Sequence, residues 1–191
     1  MASRRRSPSE GCQIALSARR ILIYGVTGAG KTTLARNLSE RTGIPWHSVD
    51  DLTWNPGWEQ VSLDQQIERI VEITNEDSWI LDTAYAQWVD IPLARVELIV
   101  GLDYPRWLSL GRLTNRTIKR LIDKKPICNG NRESLKTFFS KDAILLWHFQ
   151  SFTRKRDRMR AWKDEGKDVL LLKSQREADQ FLRTASGELD G

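Results

Sequence analysis

Short apolar runs and helical stripes alternate along the chain from about residue 20 to residue 182. Arg20-Ile21-Leu22-Ile23-Tyr24 is rich in β-branched residues and stops at Gly25, the pattern of a strand buried in a parallel sheet. From Lys31 to about Arg41 the period becomes helical, with Leu34, Ala35 and Leu38 inward and Gly43 and Pro45 ending the helix. Trp46–Val49 predicts a second strand that runs into Asp50-Asp51. Ser62 with Gln65 makes a capping box ahead of an apolar stripe of Leu63, Ile67, Ile70 and Val71. Trp79-Ile80-Leu81 and Leu98-Ile99-Val100 are two more short buried strands, delivering Asp82 and Asp103 at or just beyond their carboxyl ends. Pro105 opens a long helix whose inner face is predicted as Trp107, Leu110, Thr114, Ile118 and Leu121. Val169–Leu172 is a last strand, and the helix after it opens on the box Ser174…Glu177 and buries Ala178, Phe181 and Leu182.

Successive parallel strands need right-handed crossovers, which put helices on both faces of one sheet. The expected architecture is an α/β three-layer sandwich around five parallel strands. Ligands of such sheets gather at the carboxyl ends of the strands, where Gly25, Asp50, Asp82 and Asp103 all fall.

Composition narrows this only a little. With 191 residues, 40% hydrophobic and 29% charged, the chain suits one domain and excludes disorder throughout, collagen and membrane-spanning classes. Cys12 and Cys128 have no metal or disulfide spacing, which suits a reducing cytoplasm. The stretch from Met1 to about Ala18 is rich in Arg and Ser, lacks periodicity and lacks the apolar centre of a secretory signal. Residues 1–19 are therefore expected to be a disordered basic extension, and 20–191 a single domain; an organelle transit peptide has a similar composition.

The formal charge of +5 is very uneven. Residues 21–105 carry 5 basic and 13 acidic side chains, whereas 106–163 carry 16 basic and 4 acidic. A polyanionic ligand held between these segments would account for the separation.

Gly25-Val26-Thr27-Gly28-Ala29-Gly30-Lys31-Thr32 satisfies GxxxxGK[ST] between a predicted strand and a predicted helix, and Thr33 follows it. The glycines let consecutive N–H groups face phosphate oxygens, and the helix amino terminus adds favourable potential. Lys31 would reach the β and γ phosphates of ATP, and the Thr32 hydroxyl would hold Mg²⁺. A chance match somewhere in a chain this long has odds of roughly one in a hundred.

Asp82 is placed to hold Mg²⁺ from the end of its strand, with a turn or capping role as the plainer alternative. Asp50 would orient or deprotonate an acceptor, although it also precedes a turn-like segment, Trp54…Pro56-Gly57-Trp58. Asp103 reads mainly as a turn and cap. Arg112, Arg116 and Arg120 repeat every four residues with no acidic residue between Asp103 and Asp123. Such a stripe repels itself unless anions lie against it. The polar connector from Asp123 to Glu133 is a candidate lid bringing Arg132 over the γ-phosphate. Arg154, Lys155, Arg156, Arg158 and Arg160 form a second cluster, of which one or two are expected only to face solvent. One of Trp54 and Trp58 is a candidate for lining an acceptor pocket, and His47 and His148 are read as structural.

Gly25-x-x-Gly28-x-Gly30-Lys31-Thr32-Thr33 resembles the nucleotide-kinase form of the phosphate loop, as in adenylate kinase and shikimate kinase. More closely, the chain resembles the bacterial adenylate-kinase-like ATPases often labelled DNA topology modulation proteins. The resemblance lies in Gly43-Ile44-Pro45, Asp50, Trp54-Asn55-Pro56-Gly57-Trp58, Trp79-Ile80-Leu81-Asp82, Asp90, Leu102-Asp103-Tyr104-Pro105-Arg106-Trp107, residues 129–133 and Ser174…Glu177…Phe181-Leu182, over about residues 20–183. It implies sheet order 2-3-1-4-5 and a short arginine-bearing lid. Thr83-Ala84 stands where members usually carry Gly-Asn, and Pro92 where they often carry Arg, which bears on the acceptor site.

The expectation is an ATP-binding kinase acting on a nucleoside monophosphate or small hydroxyl metabolite. In it Lys31, Arg116 and Arg132 neutralise the transferred phosphoryl group, Asp50 and Asp82 orient acceptor and metal, and Arg112 stacks on adenine. A nucleotide-switched nucleic-acid-binding or regulatory ATPase is the alternative, resting on the same basic residues. A GTPase is disfavoured because no NKxD-type sequence follows the fourth strand.

Overall fold

Alternation within the strands decides the layers, because successive side chains of a strand point to opposite faces. In β1 (Arg20–Gly25), Ile21 and Ile23 join one buried cluster while Leu22 and Tyr24 join the other. The structure is a computed structural model and describes residues 17–57, 59–123 and 141–185. After β1 come α1 (Lys31–Thr42), β2 (Trp46–His47), α2 (Val49–Thr53), β3 (Trp54–Asn55), β4 (Glu59–Gln60) and α3 (Leu63–Asn75). They are followed by β5 (Trp79–Leu81), α4 (Asp90–Leu93), β6 (Leu98–Leu102), α5 (Arg106–Asp123), α6 (Lys141–Asp164), β7 (Val169–Leu172) and α7 (Gln175–Ala185).

Five strands form one parallel sheet in the order β2-β5-β1-β6-β7. Counted without the β3–β4 hairpin, that is 2-3-1-4-5, as the resemblance implied. On one face α1 contributes Leu34, Ala35 and Leu38, and α7 contributes Ala178, Phe181 and Leu182. On the other, α3 contributes Ile70 and Ile73, α4 Leu93, and α6 Met159 and Trp162. Gly101 in β6 lets α6 come close: a Cβ there would stand 2.8 Å from Met159 Sδ and 2.8 Å from Leu171 Cδ2. Among the described residues no helix is long and apolar enough to cross a membrane.

Several expectations change in detail. The second strand ends at His47, and Asp50 lies in the first turn of α2 rather than at a strand end. The Asp82 carboxylate accepts from the Val49 N–H (3.0 Å), turning the chain into α2, and Asp50 and Asp51 suit a helix amino terminus. Trp54 to Gln60 forms an antiparallel hairpin, with Trp58 outside the described residues.

In α3 the Ser62 cap is present, its Oγ accepting from the Gln65 N–H, while Ile67 and Ile70 face the core and the ends of the expected stripe do not. Leu63 and Val71 are exposed, while Gln66 and Thr74 are buried. Gln66 tolerates burial because its amide donates to the Val61 carbonyl (2.7 Å) and accepts from Trp88 Nε1 (3.2 Å).

The inner face of α5 also differs. Trp107 is 73% exposed and Thr114 exposed, whereas Ser109 is fully buried and Leu108 packs on the core. The side chains of Ile118 and Leu121 lie outside those described. The proposed lid, with Arg132, and both cysteines also fall outside the described residues, as do residues 1–16. Ala18 is buried in the core and the Arg19 N–H donates to Glu97 (2.7 Å), so packing reaches back to residue 18.

Candidate functional site

The loop between β1 and α1 is built on left-handed backbone at Gly28 (φ 81°) and Gly30 (φ 94°), where a Cβ would be strained. Gly30 is the N-cap of α1 and no side chain caps that helix, which leaves first-turn N–H groups available to an anion. Lys31 Nζ folds back to donate to the Val26 carbonyl (3.1 Å), and the Ala29 N–H donates to the same oxygen (3.2 Å).

Thr32 Oγ1 donates to Asp82 Oδ2 at 2.8 Å, bringing two residues fifty positions apart into one group. Asp82 is only 4% exposed. Burial pushes its carboxyl above the usual carboxylate range, with the Asp50 charge adding to the push and the bonds from Val49 and Thr32 and the Lys31 charge opposing it. A buried anionic oxygen beside a hydroxyl is a donor set of hard oxygens, and it fits Mg²⁺, which keeps several waters and takes few protein ligands.

Asp50 itself is exposed and accepts from the Tyr85 hydroxyl (3.2 Å). Burial first, and the Asp50 charge second, push Tyr85 up to about 12, so Tyr85 stays a donor. Trp54 also hydrogen-bonds Tyr85, which places one of the two candidate tryptophans beside Asp50.

On the outer side of the loop, Arg112 Nη1 donates to the Ala29 carbonyl (3.1 Å) and Nη2 to Gln175 Oε1 (2.7 Å). Its guanidinium lies 5.1 Å over the Tyr104 ring. These contacts explain the rotation of α5: the face carrying Arg112 is held against the phosphate loop. Arg116 lies on α5, but its side chain, like that of Arg120, is outside those described.

Asp103 is not a cap. It is buried just beyond the end of β6, pairs with Arg156 Nε at 2.6 Å, accepts a hydrogen bond from Arg156 Nη2 at 3.3 Å, and has Arg160 at 3.8 Å. Two members of the second basic cluster therefore anchor α6 to the sheet. Asp103→Ala is expected to cost on the order of 2 kcal/mol in chemical denaturation, less than for a fully buried pair because Arg156 is 37% exposed.

Lys155 is the residue whose place the sequence reading missed. In the sequence it stands in the second basic cluster, of which one or two members were expected only to face solvent; its amine lies 5.8 Å over the Tyr24 ring, in the field of Lys31 and Asp50. The available signal was its register: Phe152, Lys155, Met159 and Trp162 follow i, i+3, i+7, i+10, and the three apolar members are buried. His47 sits on β2 with Nε2 3.8 Å from Glu76, apart from this group. A groove of about 490 Å³ at the opposite end of the sheet, lined in part by Ala18, Glu97 and Lys167, contains none of these residues.

A family described as an AAA domain matches residues 21–100, which span the phosphate loop, Asp50 and Asp82. No curated protein matches the chain by sequence. Among solved structures, shikimate kinase from Bacteroides thetaiotaomicron superposes with a TM-score of 0.52 at 11% identity, over 87% of this chain and 95% of that one. A sugar kinase from Janibacter sp. gives 0.49 at 16% identity over 90% and 94%, and a gluconokinase from Sinorhizobium meliloti 0.49 at 13% over 89% and 90%. At such identities likeness concerns fold alone, and only the first superposition is close enough to carry that argument. The narrower likeness to DNA topology modulation proteins rests on the sequence motifs. Loop, sheet order and superposition together show an α/β sandwich carrying a phosphate loop, similar in fold to that shikimate kinase.

Proposed function

We propose that the chain is a small kinase that transfers the γ-phosphoryl group of Mg-ATP to a hydroxyl of a small molecule. The observation that carries this reading is the Thr32–Asp82 contact at the phosphate loop, with Asp50 nearby on the acceptor side. ATP would lie on Gly25–Thr33, with Lys31 on its β and γ phosphates and Arg112 against the adenine. Thr32 and Asp82 would hold Mg²⁺, which when bound neutralises phosphate charge. Asp50 would accept the proton of the acceptor hydroxyl as its oxygen bonds to phosphorus and the bond to the ADP oxygen breaks. Arg116 and Arg132 are assigned to the transferred phosphoryl group on sequence grounds.

The charge of the acceptor wall favours a hydroxyl compound over a nucleoside monophosphate. Residues 48–94, which supply α2, the hairpin, α3 and the β5–α4 segment, hold ten acidic side chains and one basic. That one, Arg69, donates to the Leu52 carbonyl (2.8 Å). Of the acidic ones, Asp50 and Asp51 in the first turn of α2 and Asp82 stand by the phosphate loop, where a second phosphate would meet repulsion. The pairing of Arg156 with the buried Asp103 engages one charge of the second basic cluster within the fold, which favours a kinase over a nucleic-acid-binding ATPase.

ADP release measured across neutral polyols, sugars and nucleosides, with monophosphates and sugar acids beside them, tests the proposal. A neutral hydroxyl compound is expected to stimulate turnover, and Asp50→Asn to remove that stimulation by about 100-fold while Mg-ATP still binds. Stimulation that survives Asp50→Asn, or that comes only from monophosphates, contradicts this acceptor assignment.

A further inference from the structure

We propose that Lys155 is a phosphate-binding residue of the nucleotide site, partner to Lys31, and that it takes up a proton when nucleotide binds. The inference rests on the nucleotide-site reading above and extends it to α6.

A lysine in the apolar stripe of a helix is costly unless its amine reaches a compensating group. Met159 and Trp162, which continue that stripe, are 1% and 5% exposed, and Trp162 packs edge-on to Tyr24 at 4.8 Å. The Lys155 stem follows the same surface, and its amine ends over the Tyr24 ring at the carboxyl end of β1, where the phosphate loop begins. The groups that face it are Tyr24 from β1, Lys31 from α1, Asp50 from α2, and Arg154 and Arg158 from α6 itself. Among these described groups Asp50 is the carboxylate and Lys31, Arg154 and Arg158 are the cations, and Asp50 also accepts from the Tyr85 hydroxyl. The anchoring of Arg156 and Arg160 on Asp103 fixes the rotation of α6, so Lys155 is held toward the loop.

Without nucleotide this arrangement disfavours the ammonium. Burial first, then Lys31, holds Lys155 down to about 7, with Asp50 opposing and Arg158 and Arg154 adding to the depression. The phosphates of ATP reverse the sign of that field and restore the charged form. Nucleotide affinity should therefore be highest below the depressed value and fall by up to tenfold per pH unit above it.

Calorimetric titration of the full chain with a magnesium-bound, non-hydrolysable ATP analogue at pH 8, in two buffers of different ionisation enthalpy, measures the proton. Uptake of most of a proton is expected for the wild type, since a group held down to about 7 is mostly neutral there. Lys155→Met is expected to take up none, to bind at least tenfold more weakly, and to unfold at higher temperature than the wild type without nucleotide. Lys155→Arg, charged at every pH, is expected to regain affinity with no uptake and no pH dependence between 7.5 and 9. Binding without proton uptake, uptake that persists in Lys155→Met, or a lower unfolding temperature for that variant overturns this proposal alone. No binding to the wild type overturns the nucleotide-site reading and this inference with it.

Discussion

Lys31→Ala is expected to reduce ATP turnover by 10²–10³-fold, equivalent to about 3–4 kcal/mol, while leaving the fold intact. The loss follows from what the amine would do as charge moves onto the leaving ADP oxygen: a fixed cation in a partly buried loop costs no reorganisation when that charge develops. Lys31 also donates to the Val26 carbonyl, so its removal loosens the loop. That bond is local, however, and the apolar face of α1 (Leu34, Ala35 and Leu38) is untouched. Thermal unfolding followed by circular dichroism should shift by only a few degrees. A Lys31→Ala protein that unfolds normally and turns over at the wild-type rate would remove the phosphate loop from the mechanism.

The second large effect is expected at Asp82. Asp82→Asn keeps an oxygen for the Val49 N–H but presents a neutral amide where Thr32 and a cation would meet the carboxylate. Turnover should fall about 100-fold and the Mg²⁺ concentration for half-maximal activity rise at least tenfold. Stability should move the other way. A carboxyl whose folded pKa is raised above its unfolded value costs stability once pH passes the unfolded value, and neutral Asn removes that cost. The variant is therefore expected to unfold at or above the wild-type temperature at pH 7. Unfolding curves and Mg²⁺ titrations of activity on the same preparation separate the two effects.

Much of this arrangement was legible in the residues because its determinants are local. A parallel strand buried on both faces must be a continuous apolar run, so β1, β5, β6 and β7 stand out, and the phosphate loop combines glycine positions with an obligatory strand and helix. Asp82 could be placed next to the phosphate loop, where it accepts from Thr32, because a strand end at the ligand edge is a position that can be counted. Both serine caps formed, Ser62 Oγ accepting from the Gln65 N–H and Ser174 Oγ from the Glu177 N–H.

What escaped depended on partners distant in sequence. Asp103 looked like a turn residue because Arg156 lies 53 positions away. Gln66 and Trp88 satisfy each other only after α3 meets the segment leading into α4; Ile67 and Ile70 pack inward as expected, but Leu63 and Val71 are exposed and Gln66 and Thr74 take buried places. The same holds for α5, whose packed face is set by Arg112 on the Ala29 carbonyl and on Gln175 rather than by Trp107. Lys155 was hidden by composition. Four arginines surround it in the sequence, and the cluster drew attention away from the apolar register it shares with Phe152, Met159 and Trp162.

The most direct test of the account is a crystal structure of the protein with a non-hydrolysable ATP analogue and Mg²⁺. The β-phosphate is expected against the backbone of Gly28–Thr33, the metal beside Thr32 and Asp82, and the γ-phosphate between Lys31 and Asp50. A nucleotide bound elsewhere on the chain, or one on the loop with its γ-phosphate turned away from Asp50 and Asp82, would contradict it.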